Sequence, residues 1–370
     1  MRLNEYTTLG RTGLRVTPLC LGAMGFGQGW GWGADEKSSF QMLDQYFDAR
    51  GNFIDTADGY QMGQSEEIVG KYVAERKLRD KAVIATKYTF NFGNPGNPNA
   101  GGNGRKNLYR ALEGSLRRLK TDFVDLYYLH AWDLITPIEE VVSTMTDLVH
   151  EGKIRYYGLS DTPAWYFTRA QTIAEKDGLE RCATLQLEYS LSERNIEREH
   201  IPAAQELGIG LCPWSPLAGG LLSGKYKREG CKGVGDGRLT MPNPIFNKFT
   251  EHNWRVLDAL LDVAKQIGRA PAQVALNWLA TQPGVTSIIL GATKSAQLAE
   301  NLTCLDFSIP ENLRKRLDEV GRPEPVHPYN FYTPSMQLRL SGGVTAREWR
   351  RGYVYEGAVA PPEEKKATAD

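Results

Sequence analysis

Eight times along this chain, a short apolar run rich in β-branched or aromatic residues recurs. The runs are Leu19–Gly22, Asn52–Asp55, Ala82–Lys87, Phe123–His130, Tyr156–Ser160, Thr184–Glu188, Gly210–Pro213 and Ser287–Leu290. They are apolar throughout rather than alternating, as strands covered on both faces of a parallel sheet must be. Between them lie longer segments with apolar residues three and four apart: Ser65–Lys77, Leu108–Lys120, Ile138–Glu151, Pro163–Lys176 and Ile196–Leu207. Ser65-Glu66-Glu67 reads as a helix N-cap with an acidic first turn, Pro163 suits a first helical turn, and Gly152 and Gly208 suit helix ends.

Eight such repeats within 370 residues predict an α/β fold, a (β/α)8 TIM barrel with chemistry at the C-terminal ends of its strands. Tyr6–Val16, with Gly10 and Gly13 around its turn, reads as an N-terminal β-hairpin. The structural alternative is a doubly wound open sheet, which asks for a Gly-rich phosphate turn after the first strand. GAMGFGQGWGWG (22–33) offers glycines there, but they alternate with Trp30 and Trp32 and do not open into a helix as a dinucleotide fingerprint must. That stretch reads instead as a flexible surface loop. NFGNPGNPNAGGNG (91–104) reads as a long loop of the functional or mobile kind. The expected organisation is one catalytic barrel over 1–321, an extended C-terminal tail with 322–357 packing near the barrel mouth, and a disordered end over 358–370.

Composition narrows the function classes. Lys+Arg and Asp+Glu are both 44, so the formal net charge is zero. That balance argues against nucleic acid or an anionic membrane as the main partner. Five scattered cysteines (Cys20, Cys182, Cys212, Cys231, Cys304) form no C-x-x-C pair. They read as reduced thiols rather than a disulfide framework or zinc site. With no leader-like apolar start and no run of spanning length, the expected location is the cytoplasm.

Four polar residues then stand out. Asp55 ends NFID, Lys87 ends AVIATK, His130 ends FVDLYYLH, and Tyr60 lies in the loop after Asp55. Singly, each reads as a satisfied structural residue or a solvent-facing charge. On adjacent strand ends of a barrel they converge, and together they describe proton transfer. A phenol is a poor acid at neutral pH; a lysine cation favours its ionised form, and a histidine can hydrogen-bond the same oxygen. A buried lysine needs a counter-ion, which Asp55 supplies. Tyr60 is thus the candidate general acid toward a carbonyl oxygen, and a nicotinamide hydride is the natural partner for the carbon. Two other readings compete. Hydrolysis by paired carboxylates (Asp55 with Asp58 or Glu188) leaves the Tyr–Lys–His set idle, and a metal site lacks clustered histidines.

These residues sit in motifs that resemble the aldo-keto reductases: GNFIDTADGY (51–60), VIATK (83–87), DFVDLYYLH (122–130), GKIRYYGLSD (152–161), LQLEYS (185–190), PWSPLAGGLLSGKY (213–226) and IILGATKSAQLAEN (288–301). The flavour is that of the bacterial and aryl-alcohol-dehydrogenase-like branch, which also resembles potassium-channel β subunits. The resemblance implies a barrel without a Rossmann domain, binding NADPH (NADP+) in extended form, with NADH left open. It implies a catalytic tetrad of Asp55, Tyr60, Lys87 and His130, and a nicotinamide-carboxamide clamp of Ser160, Asp161 and Gln186. Trp214 would stack on the nicotinamide ring. Ser215, Leu217, Gly219, Leu222 and Lys225 would cover the pyrophosphate, and Gly291, Thr293, Lys294, Gln297 and Asn301 would hold the adenosine end. Arg238 either approaches the cofactor or is a solvated loop residue. Gly219 and Gly220 could merely permit a turn, and Thr293 could be only a helix cap.

Two positions depart from the family pattern. Asp161 stands where the family usually has Asn, and an ionised Asp only accepts hydrogen bonds. Gln297 stands where many members carry Arg, which leaves Lys294 as the cation for a 2′-phosphate. The expected partner is a small-molecule carbonyl or alcohol, aromatic or bulky, lined by Trp30, Trp32, Tyr88, Trp132 and the 326–353 tail. The competing function is a non-catalytic nicotinamide-binding sensor or regulatory subunit. A homo-oligomer is left open.

Overall fold

Parallel strands buried on both faces need helical crossovers, and the order of elements supplies them. In the computed structural model, which describes residues 1–230, 232–241 and 247–344, a two-residue hairpin comes first: β1 (Thr7–Thr8) and β2 (Arg15–Val16). The repeat then runs β3 (Leu19–Gly22), α1 (Glu36–Asp48), β4 (Phe53–Asp55), α2 (Gln64–Glu75), β5 (Val83–Tyr88), α3 (Arg105–Leu119), β6 (Val124–Leu129) and α4 (Ile138–His150). It continues with β7 (Ile154–Ser160), α5 (Ala164–Asp177), β8 (Cys182–Gln186), α6 (His200–Leu207) and β9 (Gly210–Leu211). A small antiparallel ribbon, β10 (Lys227–Glu229) with β11 (Lys232–Val234), precedes α7 (Glu251–Ile267) and α8 (Pro271–Ala280). Strand β12 (Ile288–Gly291), α9 (Ser295–Leu302) and α10 (Glu311–Val320) complete the unit Met1–Gly321.

The sheet order is β12-β3-β4-β5-β6-β7-β8-β9, every pair parallel. Its two ends meet: Leu211 bridges Val285, Thr286 N–H donates to Leu211 O at 2.8 Å, and Ile289 N–H donates to Pro213 O at 2.9 Å. The expected (β/α)8 barrel is therefore the fold, with strand limits within one or two residues of the apolar runs. The differences have local causes. Ser65 is not the N-cap of α2; Gly63 is, in the left-handed region at φ 94°. Pro163 caps α5 from outside rather than opening its first turn.

Side-chain parity divides the core in two. One set points outward under the helices, including Leu21, Ile54, Ile84, Tyr127 and Leu129. The other fills the bore: Cys20, Phe53, Val83, Ala85, Leu126, Tyr128, Cys212 and Ile289. The hairpin closes the bore from below, adding Leu9 and Val16 to that inner set. Gly10 permits the seal, because a Cβ there would lie 2.5 Å from Ala183 O and 2.7 Å from the Gly210 nitrogen, at φ +59°.

The Gly-rich 22–33 stretch departs from the expectation of a flexible loop. Gln28 N–H donates to Gln64 Oε1 at 2.8 Å and Trp30 N–H to Gln61 Oε1 at 3.0 Å. A Cβ at Gly29 would sit 2.2 Å from Gln61 O, so the glycines serve close packing against the turn after β4.

The second unit begins at Arg322 and includes α11 (Pro334–Leu340), capped by Thr333, whose Oγ1 accepts from Met336 N–H at 3.2 Å. Residues 345–357 of the expected extension, the expected disordered end 358–370 and Cys231 lie outside the described residues. The other four cysteines are free and buried. No helix among the described residues is long and apolar enough to cross a membrane.

Candidate active site

Strand periodicity alone brings the candidate residues together. Side chains two apart on a strand share a face. Phe53, Ala85, Leu126, Tyr128 and Cys212 all face the bore, so Asp55, Lys87, His130 and Trp214 continue the inward rows one step beyond them. Ser160 and Gln186, at the ends of β7 and β8, pair in register. The ring of strand ends is the C-terminal mouth of the barrel.

At its centre lies a buried ion pair. Lys87, with no exposed surface, donates from Nζ to Asp55 Oδ1 at 2.5 Å, to Thr56 O at 2.8 Å and to Tyr60 Oη at 3.2 Å. An ammonium has three donors, so all are used. Asp55 is equally committed, since its Oδ2 accepts from Gln186 Nε2 at 2.8 Å. A buried pair holds only when the remaining hydrogen-bonding capacity is also satisfied, and here it is. Gln186, expected in the carboxamide clamp, thus also belongs to the ionic centre.

Charge states follow from this packing. Burial acts to lower the Lys87 pKa, but the Asp55 carboxylate and Tyr60 outweigh it and hold the ammonium above its usual range. Tyr60 differs from the expectation that lysine would lower it. Burial raises the phenol by more than Lys87 lowers it, so it stays a neutral acid. His130 is driven well below the usual imidazole range, first by burial and then by Lys87. Its ring meets Tyr60 edge-on at 5.7 Å rather than through a hydrogen bond, and its Nδ1 is buried without a partner.

The expected cofactor residues lie at or beyond the C-terminal ends of β7, β8, β9 and β12. Ser160 is 1% exposed and its Oγ has no partner. Asp161, at φ +46°, accepts from Trp214 Nε1 through Oδ1 at 3.0 Å. Asp161 is exposed at the rim, yet the protein around it desolvates the carboxyl enough to push its pKa up to about 7, with Glu188 adding to the rise. An orphaned buried hydroxyl beside a carboxylate and an indole suits a flat carboxamide-bearing ring, so the residues present fit a nicotinamide.

The turn after β9 carries four residues in special conformations within six positions: Ser215, Ala218, Gly219 and Gly220 all have positive φ. Ser215 Oγ takes up Gly219 N–H at 3.1 Å. Leu217 is partly buried against the core, and Leu222 is fully buried, its side chain committed there. Lys225 approaches Gly220 and Gly237 closely and lies 5.0 Å from the Tyr226 ring. Arg238 stands over Trp32, 5.5 Å from its centroid, within electrostatic reach of Tyr60. Beyond β12, a Cβ at Gly291 would meet nothing within 4 Å. Lys294 is the N-cap of α9, Gln297 Oε1 accepts from Thr293 N–H at 3.4 Å, and Asn301 is buried on the same helix. A helix N-terminus with an exposed lysine suits a phosphate.

The expected pocket walls are partly corrected. Trp30 and Trp32 pack together at 5.8 Å, and Trp30 meets Tyr60 edge-on at 6.2 Å. Trp132 packs on Trp165 and Tyr166. Tyr88 lines nothing open: it is fully buried and stacked on Tyr127 at 5.1 Å, because its strand parity faces the helices. Two rings went unpredicted, Phe90 and Phe92, of which Phe90 lies 4.9 Å from His130. The available signal was a pair of large apolar residues opening an otherwise polar loop.

A parallel barrel whose mouth gathers a phenol, a paired buried lysine and groups that suit a nicotinamide has the architecture of a carbonyl-handling oxidoreductase. Comparison with known proteins agrees. The aldo/keto reductase family model matches residues 18–322. An aryl-alcohol dehydrogenase of Pestalotiopsis microspora is 37% identical over 80% of this chain and 76% of its own length. A norsolorinic acid reductase of Aspergillus flavus is 34% identical over 89% and 84%. An aryl-alcohol dehydrogenase [NADP(+)] of Phanerodontia chrysosporium is 35% identical over 83% of each chain. The chain belongs to the aldo/keto reductase family, and is an NAD(P)H-dependent oxidoreductase acting on alcohol or carbonyl groups.

Proposed function

We propose that the protein interconverts an aromatic or bulky aldehyde or ketone and its alcohol with NADP(H), using Tyr60 as general acid and base. The observation that carries this reading is the saturated Lys87 ammonium, which spends its third donor on Tyr60 Oη. A nicotinamide, when bound, would supply or accept the hydride at the carbonyl carbon. Everything else is the work of this chain.

In the reducing direction Tyr60 Oη gives its proton to the carbonyl oxygen. The phenolate left behind accepts from Lys87, whose charge is kept by Asp55, which Gln186 holds in turn. Neutral His130 presents an imidazole to the same side of the mouth without competing for that proton. In the oxidising direction the phenolate takes the alcohol proton, so alcohol oxidation gains with rising pH. Ser160, Asp161 and Trp214 would hold the nicotinamide, the turn at 215–225 with Arg238 the pyrophosphate, and Gly291, Thr293, Lys294, Gln297 and Asn301 the adenosine end. The choice of NADPH over NADH rests on Lys294 at the α9 N-terminus. Similarity to proteins named for aryl alcohols and NADP(+) supports the substrate and cofactor class.

The test is absorbance-detected NADPH consumption with a panel of aromatic and aliphatic aldehydes, and NADP+ reduction with the matching alcohols. Turnover in both directions is expected, with oxidation rising toward alkaline pH. Binding of NADPH with no turnover on any member of the panel would overturn the reading.

A further inference from the structure

Five aromatic side chains from four separate loops form a closed circuit of ring contacts that includes Tyr60. Trp30 meets Tyr60 at 6.2 Å, Tyr60 meets His130 at 5.7 Å, and His130 meets Phe90 at 4.9 Å. Phe90 meets Phe92 at 6.0 Å, and Phe92 returns to Trp30 at 6.4 Å. Tyr60 and His130 belong to the proton-transfer centre, and Trp30 is fixed by its backbone bond to Gln61. Phe90 and Phe92 are left 45% and 38% exposed, which is unusual for rings with so many aromatic neighbours at hand.

Phe92 has a dedicated seat. A Cβ built at Gly59 would lie 1.9 Å from both Cδ2 and Cε2 of the Phe92 ring. Gly59 has φ −92° and ψ −9°, a turn conformation at negative φ that most residues can adopt, so its backbone does not call for glycine. The three heavy atoms nearest the missing side chain all belong to the Phe92 ring. Gly59 is also the residue before Tyr60, so the seat ties the position of Phe92 to that of the proton donor. The rest of the 91–104 segment is polar and rich in Gly, Asn and Pro, and brings no other large apolar group to this place.

Resting on the reading of the site as a carbonyl reductase, we propose that Phe92, seated on Gly59, is a specificity-determining wall that selects aromatic over small aliphatic carbonyls. A substrate whose carbonyl oxygen reaches Tyr60 Oη lays its ring against Phe92 and Trp30, gaining aromatic contacts that an alkyl chain cannot reproduce.

The experiment compares kcat/KM for 2-naphthaldehyde and butanal, with NADPH, in the full-length protein. Phe92→Ala should lower the aryl-to-alkyl ratio roughly tenfold, chiefly through KM for the aryl substrate, while Phe92→Tyr, which keeps the ring, should retain the wild-type ratio. Gly59→Ala should lower the same ratio by displacing the ring. In the Phe92→Ala background the ring carbons that crowd the added methyl are gone, so Gly59→Ala should cost nothing further in the ratio. A Phe92→Ala ratio equal to wild type overturns the proposal, as does a Gly59→Ala loss that persists without the ring. Should Gly59→Ala not fold, the Phe92 pair decides alone. If wild type consumes no NADPH with either aldehyde, the reductase reading itself falls and takes this proposal with it.

Discussion

Asp58 lies in sequence between Asp55, the counter-ion of Lys87, and Tyr60, the proposed proton donor. Its backbone N–H donates to Lys87 O at 3.1 Å, which fixes the loop to β5, but its Oδ1 is buried without a partner. Burial, reinforced by the Glu66 carboxylate, pushes its pKa up to about 7. Glu66 itself is fully buried and committed to Thr86 and Arg118. A carboxyl raised in the folded state holds its proton better there than in the unfolded chain. Its favourable contribution is full below the unfolded pKa of about 3.9 and is lost as pH rises toward 7. Asp58→Asn, which cannot ionise, should therefore raise Tm more at pH 8 than at pH 4 in parallel thermal melts. Equal shifts at both values would mean that Asp58 is not held neutral. Nothing in the sequence hinted at this, since neither burial nor the approach of Glu66 is visible in DTADGY.

At the level of elements, what was legible depended on parity. Asp55, Lys87 and His130 end apolar runs, and counting by two from the buried residues before them puts all three on the bore side. Tyr88 and Phe90 show where counting stops. Tyr88 has the outward parity of Lys87's neighbour, whereas Thr89 has φ 127°, which turns the chain and sends Phe90 to His130. The Gln186–Asp55 bond joins residues 131 apart in sequence, and no local pattern anticipates it. The hairpin was readable from its glycines, but the reason for Gly10 is tertiary. Because its φ is +59° and a Cβ would collide with backbone atoms of β8 and β9, Gly10→Ala should destabilise the barrel by roughly 1–3 kcal/mol. Urea unfolding measures this, and an unchanged midpoint would show that the hairpin does not seal the bore.

For the whole molecule, the barrel solves two opposed demands. Its bore keeps Asp55 and Lys87 away from water, which strengthens their pairing, while its mouth leaves the aromatic walls and the proposed cofactor residues open to ligands. Balanced overall charge leaves local charge to particular places: Lys87 is paired at the ionic centre, Arg238 stands over Trp32, and Lys294 caps α9. The proposed mechanism couples hydride and proton transfer across one carbonyl, and that coupling can be broken on the protein side alone. The direct test is Tyr60→Phe, assayed for aldehyde-dependent NADPH consumption and for NADPH affinity by fluorescence titration. Loss of the proton donor should lower kcat by about 10²–10⁴-fold with the Kd for NADPH within about twofold of wild type. A Tyr60→Phe enzyme that retained wild-type kcat would contradict the account.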